Sequence, residues 1–318
     1  PLIICSAVMM AFAMACFAGF GLLGIGVAYA GGLLLGLGWS VFYILAPIQL
    51  IHCLKPAARL EALTLLSGSQ MLGIGLSAPL GHFLVQDRGQ SALVYVCYGL
   101  FCLVAAGLMI WAQRKLKTIA QLPMTAVALT LPLAAGIARA RTVLPVLMIG
   151  LSACVFSGLS MFQTLYAESR GLNSGTFFLA FTVTTVALRF SVASRIGKLP
   201  LGKLVLTLFA LTLAGLVLLA VNEKSSVLYI VATVFFATGY GLTYSTLNAM
   251  IVNLADERGL SVPAASQVFT ISYFIGAFGF PYVAGGILRG HGIDATLLLM
   301  MGIVVMNMIV AMTLVRRH

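Results

Sequence analysis

The chain is poor in charge. Only 8% of its 318 residues are Asp, Glu, Lys or Arg, against about 25% in soluble domains, and that shortage excludes a water-soluble globular enzyme. Acidic residues are the scarcest: seven in all, Glu61, Asp87, Glu168, Glu223, Asp256, Glu257 and Asp294, near the ends of apolar runs or between them. There is no pair of aspartates within an apolar run, no Gly-x-Ser-x-Gly elbow and no Gly-x-x-x-x-Gly-Lys-Ser/Thr loop. Intramembrane hydrolysis, a serine nucleophile and ATP-driven pumping therefore lack their residues. The six cysteines (Cys5, Cys16, Cys53, Cys97, Cys102, Cys154) contain no Cys-x-x-Cys pair, and neither His52 nor His82 has a His or Cys partner at ligand spacing. No metal and no cofactor is expected, and the chain reads as a non-enzyme.

What the sequence has instead is apolar length. Hydrophobic residues make up 61% of the chain, and mean hydropathy is +1.11. A bilayer crossing needs about 20 apolar residues, so the chain reads as an all-α, polytopic helical membrane protein. Apolar runs between charged or Gly/Pro-rich breaks predict ten spans, near 1–20, 25–52, 62–86, 91–113, 143–166, 174–193, 201–221, 226–254, 262–288 and 295–315. The stretch 119–138 is also apolar, but it carries Pro123 and Pro132. It lies between Arg114, Lys115 and Lys117 on one side and Arg139 and Arg141 on the other. Positive clusters at both ends belong on one side of the membrane, so 114–142 is predicted as a cytoplasmic linker at the membrane surface. With that assignment, fourteen Lys and Arg residues fall inside, Arg189 among them, and four outside (Arg88, Arg170, Lys224, Arg289). The net charge of +11 thus reads as a map of sidedness and not as a nucleic-acid surface.

A shift of about 202 to 203 residues aligns Gly36-Leu37-Gly38 with Gly239-Tyr240-Gly241, Lys55 with Arg258, Pro79 with Pro281, and Arg114-Lys115 with Arg316-Arg317. Residue 1 then corresponds to about residue 203, so spans 143–166 and 174–193 have no counterpart in the first half. Four spans, a basic linker and six spans read as a six-plus-six arrangement that begins at its third helix. Two parallel halves related by an axis along the membrane normal characterise major facilitator transporters.

The chain resembles the major facilitator superfamily over essentially its whole length. Residues 71–84, with Gly73, Gly75, Pro79 and Gly81, resemble the Gly-rich, Pro-containing fifth-helix motif of proton-coupled exporters, with Ala78 where that family usually has glycine. Residues 235–259, with Gly239, Gly241, Tyr244, Asn248 and the loop Asp256-Glu257-Arg258-Gly259, resemble the tenth helix and following loop of bacterial facilitators. The resemblance implies two pseudo-symmetric six-helix bundles, with ten helices present: 1–113 as an N-terminal bundle (family helices three to six), 114–142 as linker and 143–318 as the C-terminal bundle. It also implies which helices face a central cavity. On those helices the expected substrate-binding residues are Trp39, Tyr43, Gln70, Gln163, Tyr240, Tyr244, Asn248 and Gln267. Tyr240, Tyr244 and Asn248 lie at i, i+4 and i+8, on one helical face; helix–helix hydrogen bonding is the alternative use of such a stripe. Gly32 and Gly36 are expected to pack helices together. Gly73, Gly75, Pro79, Gly81, Gly276 and Pro281 stand at equivalent places in the two halves and are expected as hinge or gating positions, close packing being the alternative. Arg189 follows Thr182 and Thr185 by seven and four residues; it is either an anion-binding or gating cation, or a helix-end cation favoured by the dipole and by sidedness.

The expected function is secondary active transport of a small organic solute by alternating access, as proton-coupled efflux. A solute uptake facilitator or symporter of the same fold, and a non-transporting sensor or assembly protein, are the alternatives. The expected partners are a small-molecule substrate, protons and the lipid bilayer, with no nucleic acid. The protein is expected as a monomer in a bacterial inner (plasma) membrane, with linker and C-terminus cytoplasmic.

Overall fold

In a lipid environment every backbone N–H and C=O must be satisfied within its own segment, which leaves helices as the solution for long apolar runs. The computed structural model describes residues 2–53, 56–88, 91–116, 129–196 and 199–315, and no strand occurs among them. The helices are α1 (Leu2–Ala18), α2 (Phe20–Leu23), α3 (Ile25–Cys53), α4 (Pro56–Arg88), α5 (Ser91–Leu116), α6 (Leu131–Arg139), α7 (Val143–Ser169), α8 (Ser174–Ile196), α9 (Leu201–Val221), α10 (Ser226–Glu257) and α11 (Val262–Val315). Every one of the ten predicted spans falls on a helix. Six helices among the described residues are long and apolar enough to cross a membrane, the last of them running over 52 residues.

That last helix is two helices. Gly292 has φ 81 and ψ −178, outside the helical region, a backbone conformation that glycine adopts without a Cβ penalty. Contacts with α7 give the sense of the two legs. On the first leg, Ser272 and Phe280 meet α7 at Val146 and Gly158. On the second, Met300 meets Gly158 while Asn307 reaches back to Met148. The chain therefore climbs α7, turns at Gly292 and returns, so the predicted spans 262–288 and 295–315 are antiparallel neighbours.

Part of the predicted linker is also helical. α6 has nine residues, roughly 14 Å at 1.5 Å per residue, far short of a crossing. Ile137 on α6 is fully buried against the core of α7–α11, and the Thr142 hydroxyl donates to the Ile137 carbonyl at 2.7 Å, tying α6 to the start of α7. Residues 117–128 of that linker lie outside the described residues.

The chain forms two compact packing units, Pro1–Arg59 with Leu76–Ala126, and Leu60–Gly75 with Val127–His318. In the first, α1 packs on α3 and α5 through small residues such as Ala7, Ala11 and Ala13. Lipid tails are as apolar as leucine, so close van der Waals approach of small residues is what holds such helices together. In the second, α7 packs on α11 and α9 on α10, with α8 against α10, around a core rich in phenylalanine and tyrosine.

Candidate functional site

The site is built on one face of α8. Thr182, Thr185 and Arg189 share that face by helical spacing. The two hydroxyls donate to their own helix, Thr182 to the Phe178 carbonyl at 2.8 Å and Thr185 to the Thr182 carbonyl at 3.1 Å, so their methyl groups are left to pack. Thr182 lies against Gly75 of α4, and the Thr185 methyl lies against Gly241 of α10. Arg189 completes the row, with its aliphatic stem beside Gly68. It is 1% exposed. Its guanidinium donates to the Ser67 carbonyl at 2.9 Å and to the Gly241 carbonyl at 2.7 Å. Gly241 is the sixteenth residue of the 32 in α10, so Arg189 sits at the level of that helix's midpoint. The sidedness count placed Arg189 at a cytoplasmic helix end; the structure places it inside the bundle. A cation at that depth is costly and is tolerated only where the protein supplies polar partners.

The stripe on α10 divides among different neighbours. Tyr240 is buried, its ring stacked on Phe156 of α7 at 4.5 Å and on Phe236 at 5.9 Å. Tyr244 is half-buried and stands edge-on to Phe269 and Tyr273 of α11, at 5.5 and 5.6 Å. Asn248 is buried, and its Oδ1 has no hydrogen-bond partner among the described residues. Tyr273 also lies within hydrogen-bonding reach of the Tyr240 hydroxyl. The Arg189–Gly241 contact and these three tyrosines thus meet around the middle of α10.

The other expected positions are more scattered. Gln70 is half-buried, and its Nε2 is sealed from solvent with no hydrogen-bond partner among the described residues. Gln267 is half-buried on α11. Gln163 is fully buried in the bundle, where its amide donates to the Tyr229 hydroxyl of α10 at 2.5 Å; a place between helices is what the structure gives it. In the other packing unit, Trp39 and Tyr43 are half-buried neighbours on α3, ring centroids 5.9 Å apart. A water-sized cavity beside Ser152, Tyr240 and Asn307 opens within the second unit. Among the described residues no group of three His, Cys, Asp or Glu side chains could hold a metal ion; His52 and His82 have side chains outside that set.

The Major Facilitator Superfamily model matches residues 1–278 of the chain. The chain belongs to that superfamily. The human organic anion transporter MFSD10 (TETRAN) is similar in structure, with a TM-score of 0.74 at 16% identity over 97% of this chain and 76% of that one. The Escherichia coli fucose:proton symporter FucP gives a TM-score of 0.71 at 15% identity over 98% of this chain and 82% of that one. At those identities the likeness is one of fold. No curated protein sequence matches the chain significantly.

For a major facilitator chain the hinge candidates separate cleanly by surroundings. A Cβ on Gly75 would overlap Thr182, and one on Gly276 would overlap the Gly150 carbonyl, so both are points of close helix crossing. Gly81 faces the Tyr98 hydroxyl, while Gly73 has nothing within 4 Å. Pro281 lies inside the first leg of α11; the backbone of Pro79 is helical, and its side chain lies outside the described ones. The expected packing pair Gly32 and Gly36 needs correction, because neither has an atom within 4 Å of a Cβ placed there. The face of α3 that meets α1 is carried by Gly31 and Gly38, against Cys16 and Met10. The spacing rule identified a glycine face but could not say which of two overlapping faces is covered. Two further groups carry the site without a signal in the sequence: Ser67, which acts through its main-chain carbonyl, and Tyr273, one of many tyrosines until its place beside Tyr240 and Tyr244 is known.

Proposed function

We propose that the protein is a secondary active transporter that moves a small organic solute across the membrane by alternating access, with proton-coupled efflux as its direction and coupling. The observation that carries this reading is the superfamily match over residues 1–278. Support from the geometry comes from the costly interior cation Arg189, held by the Gly241 carbonyl next to Tyr240 on α10, a polar feature that a purely structural bundle does not need. Tyr240, Tyr244, Asn248, Gln70 and Gln267 form the proposed substrate contacts in this region, with Trp39, Tyr43 and Gln163 as further candidates. Gly75 and Gly276 serve as close-contact pivots and Pro281 as a point of bending. The organisation proposed is a bundle over 1–113, a cytoplasmic linker over 114–142 and a bundle over 143–318, acting as a monomer in a bacterial inner membrane.

A solute uptake facilitator or symporter of the same fold is the second reading, and its uncoupled form is favoured by one observation: five carboxylates with described side chains, Glu168, Glu223, Asp256, Glu257 and Asp294, are all exposed, at helix ends or between helices and not in an interior proton relay of the kind a proton-coupled carrier uses. Flux decides between them. Purified protein in liposomes with an imposed pH gradient is expected to drive saturable accumulation of a solute on the acidic side if it is a proton antiporter. Accumulation on the alkaline side favours symport. Absence of gradient-dependent flux across a broad solute panel leaves the non-transporting reading.

A further inference from the structure

We propose that the cavity among α7, α9, α10 and the second leg of α11 is a binding site for one water molecule, held as a hydrogen-bond donor to Asn307, and that this water ties the second leg to α9 and α10. The site lies within the second packing unit, and the inference does not depend on what the protein transports.

An unmet need comes first. Asn307 is 1% exposed. Its amide nitrogen donates to the Met148 carbonyl at 3.2 Å and to the Ser152 hydroxyl oxygen at 3.1 Å. A main-chain carbonyl can only accept, so Met148 fixes the amide with Nδ2 toward α7. That leaves Oδ1 buried with no hydrogen-bond partner among the described residues. Native structures rarely leave such an oxygen uncompensated, because its lost hydration is not repaid.

The cavity answers that need. It has room for one water molecule, and its lining includes Asn307, Ser152 of α7, Phe209 and Thr212 of α9, Thr243 of α10 and Val304 of α11. The walls are chiefly apolar, so a few oxygens decide what can sit there. Ser152, Thr212 and Thr243 each donate their hydroxyl proton to the carbonyl four residues back, at 2.7, 2.9 and 2.7 Å. With Asn307 Oδ1, they offer a guest lone pairs and no proton, so the guest must itself be a donor. A water giving one O–H to Asn307 Oδ1 and the other to the Thr212 or Thr243 oxygen meets that requirement in the space available. A sodium ion is drawn to lone pairs as well, but no carboxylate lines the cavity, and burying an unpaired charge among apolar walls costs far more than burying water.

The water also acts where side chains do not reach. Among the described residues no hydrogen bond joins the second leg of α11 to α9 or α10; Asp294 and Asn307 turn to Arg170 and to α7 instead. Helices in lipid are held by close packing and by such interhelical hydrogen bonds, and the water supplies the missing one. The leg that returns from Gly292 is thereby fastened to the rest of its unit.

The test uses the full chain in nanodiscs. Ionising pulses in heavy-oxygen water split bound water in place, and the hydroxyl radicals oxidise the side chains beside them. Phe209 and Phe236 are 2% and 0% exposed, but Phe209 lines the cavity and Phe236 does not. Labelling of Phe209 is expected to exceed that of Phe236 severalfold. The second arm is Val304→Ile, which fills the cavity. Expelling the water strands Asn307 Oδ1, so the unfolding temperature is expected to fall by a few degrees, and Phe209 labelling to drop to the level of Phe236. Filling a dry cavity would raise the unfolding temperature instead. Stranding is separated from overpacking in the Asn307→Leu background, where Val304→Ile is expected to cost less. Replacing sodium by choline is expected to leave the unfolding temperature unchanged. Equal labelling of Phe209 and Phe236, a rise in unfolding temperature with Val304→Ile, the same loss in both backgrounds, or saturable stabilisation by sodium overturns the proposal. The labelling of the parent protein needs no variant and decides the matter if Asn307→Leu does not fold.

Discussion

In the first packing unit, Ser6 is the only polar side chain buried among the described residues, and its hydroxyl is spent on the Ile3 carbonyl of its own helix. In the second unit the buried polar side chains run from Ser67 to Asn307 and include an arginine, a glutamine and three asparagines. The repeat expected from the sequence pairs glycines, prolines and loop cations between the two halves, but not the polar stripe of α10. Leu37, Val41 and Leu45 occupy the positions that correspond to Tyr240, Tyr244 and Asn248. Among the described residues the buried polar side chains are thus concentrated in one of the two packing units.

The largest effect that would sharpen this contrast is steric. Gly276→Leu drives a side chain into the Gly150 backbone and is expected to cost more than about 3 kcal/mol, seen as loss of the monodisperse peak in gel filtration. Gly36→Leu, in open space, is expected to leave that peak unchanged, and equal damage from both would erase the distinction between covered and open glycine faces. Next comes the polar core. Gln163→Leu strands the Tyr229 hydroxyl and is expected to cost about 1–2 kcal/mol, while adding Tyr229→Phe recovers part of that loss; additive losses in thermal unfolding would show that the pair is not coupled. Tyr244→Phe and Asn248→Leu are expected to raise the apparent KM for the transported solute severalfold with little change in expression, and unchanged kinetics in both would remove α10 from the site. Smallest is the rim pair. Arg170 donates to Asp294 at 2.5 Å and to the Asn222 carbonyl at 2.7 Å, but Asp294 is 69% exposed, so solvent screens the pair. Asp294→Ala is expected to shift stability by about 0.5 kcal/mol or less, and Arg170→Ala by more, because it also loses the carbonyl and the face of the Tyr166 ring.

Legibility of the fold followed from the medium. Apolar runs of bilayer length have one backbone solution, and charge breaks mark their ends, so the spans could be read with few ambiguities. α6 escaped because a nine-residue helix leaves too short a pattern, and because its anchoring residue, Ile137, looks like any other apolar residue in the linker. The site was only half legible. Tyr240, Tyr244 and Asn248 announced a face by their spacing, and Arg189 announced itself as a cation within an apolar run. Their partners did not: a carbonyl at Ser67 is present at every residue of every sequence, and the Gln163–Tyr229 pair joins positions 66 residues apart. Positive-inside counting even misled slightly at Arg189, since a rule about loops has no term for a charge solvated by protein.

The reversal at Gly292 bears on biogenesis. A continuous α11 would be a rod of 54 residues, about 80 Å at the usual rise, which no bilayer accommodates upright. With the turn in place, the two legs lie side by side along α7 and can enter the membrane as a preformed hairpin, each leg shielding the other's backbone during insertion. Replacing Gly292 by a β-branched residue would therefore be felt by the translocation machinery before any solute is carried, as a fault in topology.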